Sequence, residues 1–334
     1  MPRLLIALIV TAVALWTGYW YVASTAKFRV IESWLAERRE SGWVAEYSDF
    51  RVRGYPSRFD SRFRDLRLRA PRSGIGWEAP EFKIIALTYK PNHVIAAFAD
   101  EQTLEFPGGT VDVASRDMFA SVVFEPDTKL AVSRIRLSAE ELRLTGSGGW
   151  QAGAGSLMLA TRQSAGGEFA HDVIFDAREV SPTRAIRRVL DPSGSLPAAI
   201  EKLLVDLTLG FTGPWDRLAI ERGAPALTSI EVKRGTSLRW GALGMRAEGR
   251  LEVARSGRVS GSLELEILQW REVLGLLLRA RLLDAATAGR IEQGLALLTA
   301  GSEDPDSLKV PLVLADGQMR LGPIALGPAP RFPR

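Results

Sequence analysis

The residues able to do acid–base, nucleophilic or metal chemistry are few, and their spacing does not suit it. The chain has two histidines, His93 and His171. A zinc or general-base site needs imidazoles at a motif spacing such as H-E-x-x-H, and neither histidine has a partner at that spacing. His171 opens a strand pattern and reads as a structural or surface residue. There is no cysteine. That removes disulfides, thiolate zinc sites, iron–sulfur clusters and cysteine nucleophiles, and leaves the redox compartment open. No G-x-S-x-G elbow and no G-x-x-x-x-G-K-[ST] loop occurs. Gly146-Ser147-Gly148-Gly149-Trp150 has the glycine content of a phosphate cradle, but a strand pattern follows it instead of a helix N-terminus, so it reads as a turn. Carboxylates are numerous, and a glycosidase needs only two. Glu140-Glu141 read as solvated residues of a polar turn. The expectation is no catalytic residue, no metal and no cofactor, with a hydrolase of envelope polysaccharide kept as the enzymatic alternative.

What must be positioned is therefore surface. At 334 residues the chain can form one large domain or two, and its 46% hydrophobic content suffices for a packed core. The 18 prolines and 31 glycines suit many turns between short strands. The formal net charge of +4 is concentrated near one end. Residues 1–75 carry about 13 Lys/Arg against about 7 Asp/Glu, leaving the remainder near −2. No basic patch interleaved with aromatic platforms is visible, so nucleic acid is not an expected partner. A basic excess beside a membrane segment fits anionic lipid head groups instead.

That segment is Leu4–Val22, free of charge and about 28 Å long as a helix at 1.5 Å per residue. The hydrocarbon core of a bilayer is about 30 Å thick, so the segment can just cross it. Leu4, Ile9, Leu15 and Val22 belong to the apolar run, and Trp16, Tyr19, Trp20 and Tyr21 gather at one end as interfacial rings do. Two readings stay open. One is a retained signal anchor over 1–26; the other is a signal peptide cleaved near Ser24-Thr25-Ala26. The small residues permit cleavage, while the bulky Trp20-Tyr21 pair and the length of the run argue for retention. Lys27, Arg29, Arg38 and Arg39 outnumber Arg3, which by charge alone favours a cytoplasmic body. Long domains translocate largely regardless of charge, and the short Arg3 region resembles an export signal, so an exported body is expected.

Past the anchor, Phe28–Ser41 reads as an amphipathic helix on Ile31, Trp34, Leu35 and Arg38, stopped at Gly42. Period-two patterns then dominate. Phe59, Ser61 and Phe63 alternate, and Leu66 and Leu68 continue on the other parity, which predicts a β-bulge between Arg64 and Asp65. Further strands are expected over 81–89, 94–98, 110–113, 121–124, 130–137, 141–144, 156–161 and 171–177. A short helix follows over Thr183–Leu190, then a turn-rich connector, Asp191–Pro197. Leu203, Val205, Leu207, Leu209 and Phe211 form one of the cleanest half-buried patterns. Strands at 229–234, 237–240, 245–254 and 258–268 precede a helical stretch, Arg271–Thr299, with a break near Asp284–Gly289. Its apolar stripe includes Val273, Leu274, Leu277, Leu278, Leu282, Leu295 and Leu298; Arg271, Arg279 and Arg281 exclude a second span. Terminal strands at 308–314, 318–321 and 324–326 lead to a proline-rich tail, Pro328–Arg334. The expected fold is mainly β with some α: a long, twisted antiparallel sheet packed by a few helices and preceded by an N-terminal transmembrane helix. The expected halves are 27–190 and 191–334, or one domain over 27–334. Tyr55, Arg58 and Phe59 form a candidate interaction rim near the membrane end, with a turn pinned by core aromatics as the other reading.

Three phrases occur together: Gly54-Tyr55-Pro56-Ser57-Arg58-Phe59-Asp60, then Leu238-Arg239-Trp240-Gly241-Ala242 with Ala247-Glu248-Gly249-Arg250-Leu251, then Ala315-Asp316-Gly317-Gln318-Met319-Arg320-Leu321-Gly322-Pro323-Ile324. With the anchor, the set resembles the bacterial family called domain of unknown function 2125, over about residues 3–330. The resemblance brings no activity and no catalytic residues, and implies an exported protein anchored in the inner membrane with its body in the periplasm. The closing phrase and the many strands are also similar in style to AsmA-like envelope proteins, whose long sheets carry an apolar groove implicated in lipid handling. From these come the expected partners, membrane lipid or another envelope protein. The functions weighed are a non-enzymatic lipid- or amphiphile-binding module and an envelope scaffold or assembly factor.

Overall fold

The computed structural model describes residues 2–216, 219, 223–281, 283–299 and 304–332. They are mainly strand with some helix, and every strand pair given below is antiparallel. The chain divides into two compact units, Met1–Pro126 with Leu137–Gly149 and Asp127–Arg136 with Trp150–Arg334.

The first unit opens with α1, a helix of 39 residues over Pro2–Glu40. The apolar run and the amphipathic stretch read from the sequence are thus one rod. Arg38 and Arg39 sit in its last turn, where cations meet the negative end of the helix dipole. Gly42, at φ 82°, follows its end. β1 (Val44–Glu46) and β2 (Asp49–Arg53) lie end to end along one edge of β3 (Arg58–Arg69). β4 (Gly76–Leu87) takes the other edge of β3. β5 (Lys90–Phe98) and β6 (Glu101–Phe106) lie end to end between β4 and β7 (Gly109–Phe124). β8 (Val132–Gly146) has residues assigned to both units.

The register sorts side chains by face. Phe50 lies opposite Phe63, Phe63 opposite Phe82, and Phe82 opposite Phe98. One face of β2–β5 therefore carries a row of rings. α1 packs on the start of that row, with Phe28 stacked on Phe50 at 5.0 Å and Phe50 on Phe63 at 4.4 Å. Leu35, Ala45, Phe50, Phe63 and Leu66 form the buried core beneath the helix. The opposite face is laced by cross-strand ion pairs, among them Arg62–Glu81 at 2.9 Å and Arg67–Glu78 at 2.6 Å.

The predicted bulge at Arg64/Asp65 is corrected. β3 and β4 keep one register across it, with Arg64 opposite Glu81 and Leu66 opposite Ala79. Parity changes because Asp65 takes a left-handed backbone, φ 47°, without an extra residue. Asp117 and Glu141 do the same at φ 51° and 48°, inside β7 and β8. Each of these strands is continuous where the sequence pattern reads as two short strands, and Glu140-Glu141 lie in a strand instead of a polar turn.

In the second unit β9 (Gln151–Gln163), β10 (Ala170–Val180) and β11 (Ile200–Phe211) pair in order. β12 (Leu227–Val232) and β13 (Ser237–Trp240) lie end to end between β11 and β14 (Leu243–Val253). β15 (Val259–Leu268), β16 (Ser307–Ala315), β17 (Gln318–Leu321) and β18 (Ile324–Pro328) complete it. The helices are α2 (Arg184–Leu190), α3 (Trp270–Arg279) and α4 (Ala285–Thr299). The hairpin break precedes Ala285, slightly earlier than its predicted place. Leu282 and the side chain of Leu298 lie outside the described residues, as does the end of the tail. Trp270, Leu274, Ile291 and Leu295 bury the hairpin against Leu308 and Val310 of β16. Trp270 is 2% exposed and donates its indole N–H to Pro305 O at 3.0 Å. The Asp191–Pro197 connector is tied down by the Asp191 carboxylate, which accepts from the Ser195 and Leu196 N–H groups, both at 3.0 Å.

Phe63 links helix, β2 and β4, so Phe63→Ala should lower the unfolding free energy of the full chain by about 3 to 5 kcal/mol. Denaturant titration in detergent micelles checks this; a loss below about 1 kcal/mol would show that the ring stack does not hold the helix to the sheet.

Candidate membrane and apolar surfaces

The membrane segment and the rim meet in one place. Residues 2–19 of α1 are exposed along their whole length. Among the predicted anchor residues Leu4, Ile9, Leu15, Trp16, Tyr19 and Val22 are exposed, and Trp20 is half-buried. The helix is long and apolar enough to cross a membrane. From Trp16 onward it is fastened to the sheet end. Trp16 Nε1 donates to Pro56 O and Trp20 Nε1 to Arg58 O, both at 2.9 Å. Thr17 Oγ1 and the Tyr55 hydroxyl are 2.8 Å apart, Tyr19 donates to Thr88 O at 3.3 Å, and Lys27 Nζ to Phe59 O at 3.2 Å.

The rim loop has its own local logic. Gly54 sits at φ 110°, and a Cβ there would come within 2.8 Å of Arg58 O, so glycine is required. Arg58 N returns to Gly54 O at 2.9 Å, and Thr88 N donates to Ser57 O at 3.0 Å. The predicted rim splits between surface and core. Tyr55 and Arg58 are exposed, Arg58 pairing with Asp60 at 3.3 Å. Phe59 is buried, with Trp20 stacked on it at 6.0 Å. Tyr89, in the turn after β4, and Lys90, at the start of β5, belong to the same surface, while Thr88 is buried; the sequence pattern had placed Thr88 and Tyr89 at the end of a strand.

Each unit also carries an apolar face that its helices cover only in part. In the first, Phe82 and Phe98 continue the ring row at 5.4 Å, with Trp77 edge-on to Phe82 at 4.9 Å. Past these, Val94, Ala96, Ala120 and Val122 lie on the same face by register. Phe82, Phe98 and these four are all half-buried, unlike Phe50 and Phe63 under the helix. In the second unit, Val173, Phe175, Val205 and Leu207 share a face by register with Leu159 and Val232. No residue of β11 is fully buried. The hairpin α3–α4 buries the region of β15–β18, with Trp270, Leu308 and Val310 at its centre.

Of the titratable groups, Asp172 lies on the polar face, while His171 lies on the apolar one, opposite Leu209. Asp172 accepts from Lys233 Nζ at 2.9 Å, Thr208 Oγ1 at 2.8 Å and Arg162 Nε at 3.2 Å. Burial opposes its ionisation, but hydrogen bonds from Lys233, Thr208, Ser164 and Arg162 prevail and hold the carboxyl well below the usual range. A hollow of about 580 Å³ lies over it, lined by residues that include Arg250 and Glu231. His171 is buried beside Thr161 and edge-on to Phe211; burial lowers its pKa while Asp172 acts the other way. His93 bonds Ser121 through Nε2 at 2.8 Å. Among the described residues no three His, Asp or Glu side chains converge as a metal site would need.

A family model described as an uncharacterised protein conserved in bacteria, domain of unknown function 2125, matches residues 20–330. No curated protein and no solved structure matches the chain.

Asp172→Asn should cost about 2 kcal/mol of stability at pH 7. A depressed folded-state pKa gives stability that is complete above the unfolded value, about 3.9, and fades as pH falls below it. The gap between native chain and variant should therefore narrow from about pH 4 downward, read by denaturant unfolding at several pH values. A gap that stays constant to about pH 2 would contradict this reading of the cluster.

Proposed function

The chain belongs to domain of unknown function 2125, and from that premise we propose that it is a single-pass inner-membrane protein with a periplasmic body whose open apolar faces hold the acyl part of a lipid or other amphiphile. The observation that carries this is the half-buried apolar row of β9–β12, polar on one side and greasy on the other, with helices packed over only part of its sheet. Monomeric soluble proteins rarely leave large contiguous apolar patches uncovered. A site for an acyl chain needs apolar lining and few polar groups.

Retention of the anchor is supported by its double use. Cleavage near Ser24 would remove Trp16 and Trp20, which donate to the carbonyls of the Gly54–Arg58 loop. The helix also runs unbroken through that point, with Ser24 buried. The role is read as binding, not catalysis: among the described residues the Asp172 carboxylate is engaged by Lys233, Arg162 and Thr208. The second reading is a scaffold, in which another envelope protein covers the same apolar face.

Adjacent residues on one strand separate these readings. A photo-crosslinking side chain at Phe175 or Val205 of the full chain, in living cells, should capture lipid detectable by mass spectrometry. The same group at Asp176 or Asp206, on the opposite face, should not. Protein adducts alone at 175 and 205 would favour the scaffold, and equal capture at all four positions would count against a face-specific ligand.

A further inference from the structure

We propose that the Gly54–Arg58 loop and the Thr88–Lys90 turn are immersed in the lipid leaflet on the body's side of the membrane. This rests on the anchored reading above, and not on the identity of any cargo. Helix length sets the depth. Of the charge-free run after Arg3, only Leu4–Leu15 stands clear of the body, because Trp16 and Thr17 already contact Pro56 and Tyr55. That free stretch spans about 18 Å at 1.5 Å per residue, against a hydrocarbon core of about 30 Å. Crossing the core takes about 20 helical residues, which places the boundary near Val22 when Leu4 marks the far side. Trp16 then lies about 10 Å inside that boundary and Trp20 about 3 Å inside. The loop bonded to Trp16 must enter the leaflet with it.

The chemistry of the loop suits that position. Non-helical backbone at membrane depth is tolerated only where protein buries it or a water-filled cavity meets it, so the loop has to be covered from the helix side. Here the helix donates to Pro56 O, Arg58 O and Thr88 O through Trp16, Trp20 and Tyr19. The loop closes its own bonds through Arg58 N and Thr88 N. What it presents outward is amphipathic: Tyr55 and Tyr89 are 49% and 63% exposed, with Arg53, Arg58 and Lys90 exposed beside them. Tyrosine suits the boundary, and the long cationic side chains reach out to lipid phosphate. Tyr21 and Val22 of the helix are exposed as well. The end of the first unit's apolar face at Val94 and Val122 lies a few residues along β5 from this turn.

The chain's lack of cysteine makes the test direct. Tyr55→Cys, Tyr89→Cys, Ile9→Cys and Ser73→Cys are introduced singly, labelled with an environment-sensitive fluorophore, and the full chain is reconstituted in phosphatidylethanolamine–phosphatidylglycerol vesicles. Labels at 9, 55 and 89 should lose most of their emission to lipids carrying a nitroxide on the acyl chain and resist aqueous iodide. The label at 73, in the turn after β3, should do the reverse. Iodide quenching at both 55 and 89 with protection at 9 overturns the immersion and leaves the anchor standing. Iodide quenching at 9 overturns both.

Discussion

The β9–β12 region has two unlike faces, and among the described residues no helix fully buries any residue of β11 on the greasy one. Every residue of β11 is partly open, although it carries Leu203, Val205, Leu207, Leu209 and Phe211. Burying such a side chain fully stabilises a protein by about 1.5 to 3 kcal/mol relative to exposure. The apolar row thus retains a large unrealised gain, which a ligand or partner of matching chemistry would supply. The polar face has the opposite character. Its charges are consumed by cross-strand pairs such as Arg246–Glu266 and the Lys233–Asp172 contact, which keep that face in water. The two faces of β9–β12 thus differ in kind: one is charged and paired, the other apolar and half-open.

α1 meets the same demand in the first unit for only part of the sheet. It seals Phe50 and Phe63 and leaves Phe82, Phe98 and Trp77 half-open. It is also the element that fits a membrane span. If that rod spans a membrane as proposed, the body cannot move away from the bilayer without breaking the ring stack and the bonds to the rim loop. A flexible linker between anchor and domain would have given independence; the continuous helix gives fixed height.

Much of this was legible in the sequence, and most misses have physical causes. The alternation in β11 and β15 and the rings at Phe59 and Phe63 showed strands with one greasy face, because side-chain period in a strand is fixed at two. β1, β2 and β6, of 3, 5 and 6 residues, went unread, although the four-residue β13 and β17 were read and Phe50 and Val52 of β2 do alternate with charged neighbours. β7 and β8 looked like two strands each, since left-handed Asp117 and Glu141 reverse the parity without ending the ladder. Trp16, Tyr19 and Trp20 were readable as interfacial rings, but not as donors to Pro56, Thr88 and Arg58. Their acceptors are backbone carbonyls, which every residue has. Phe59 was grouped with Tyr55 and Arg58 by proximity along the chain, and strand alternation turned it inward.

The central claim is that the β9–β12 face is apolar, reachable and not sealed by protein. Nitroxides at Val205 and Asp206 of the full membrane-reconstituted chain test it through collision with dissolved oxygen and with a water-soluble nickel chelate. The account predicts ready collision with oxygen and poor collision with nickel at 205, and the converse at 206. A nitroxide at 205 shielded from both reagents would show a second protein layer over that face and contradict the account.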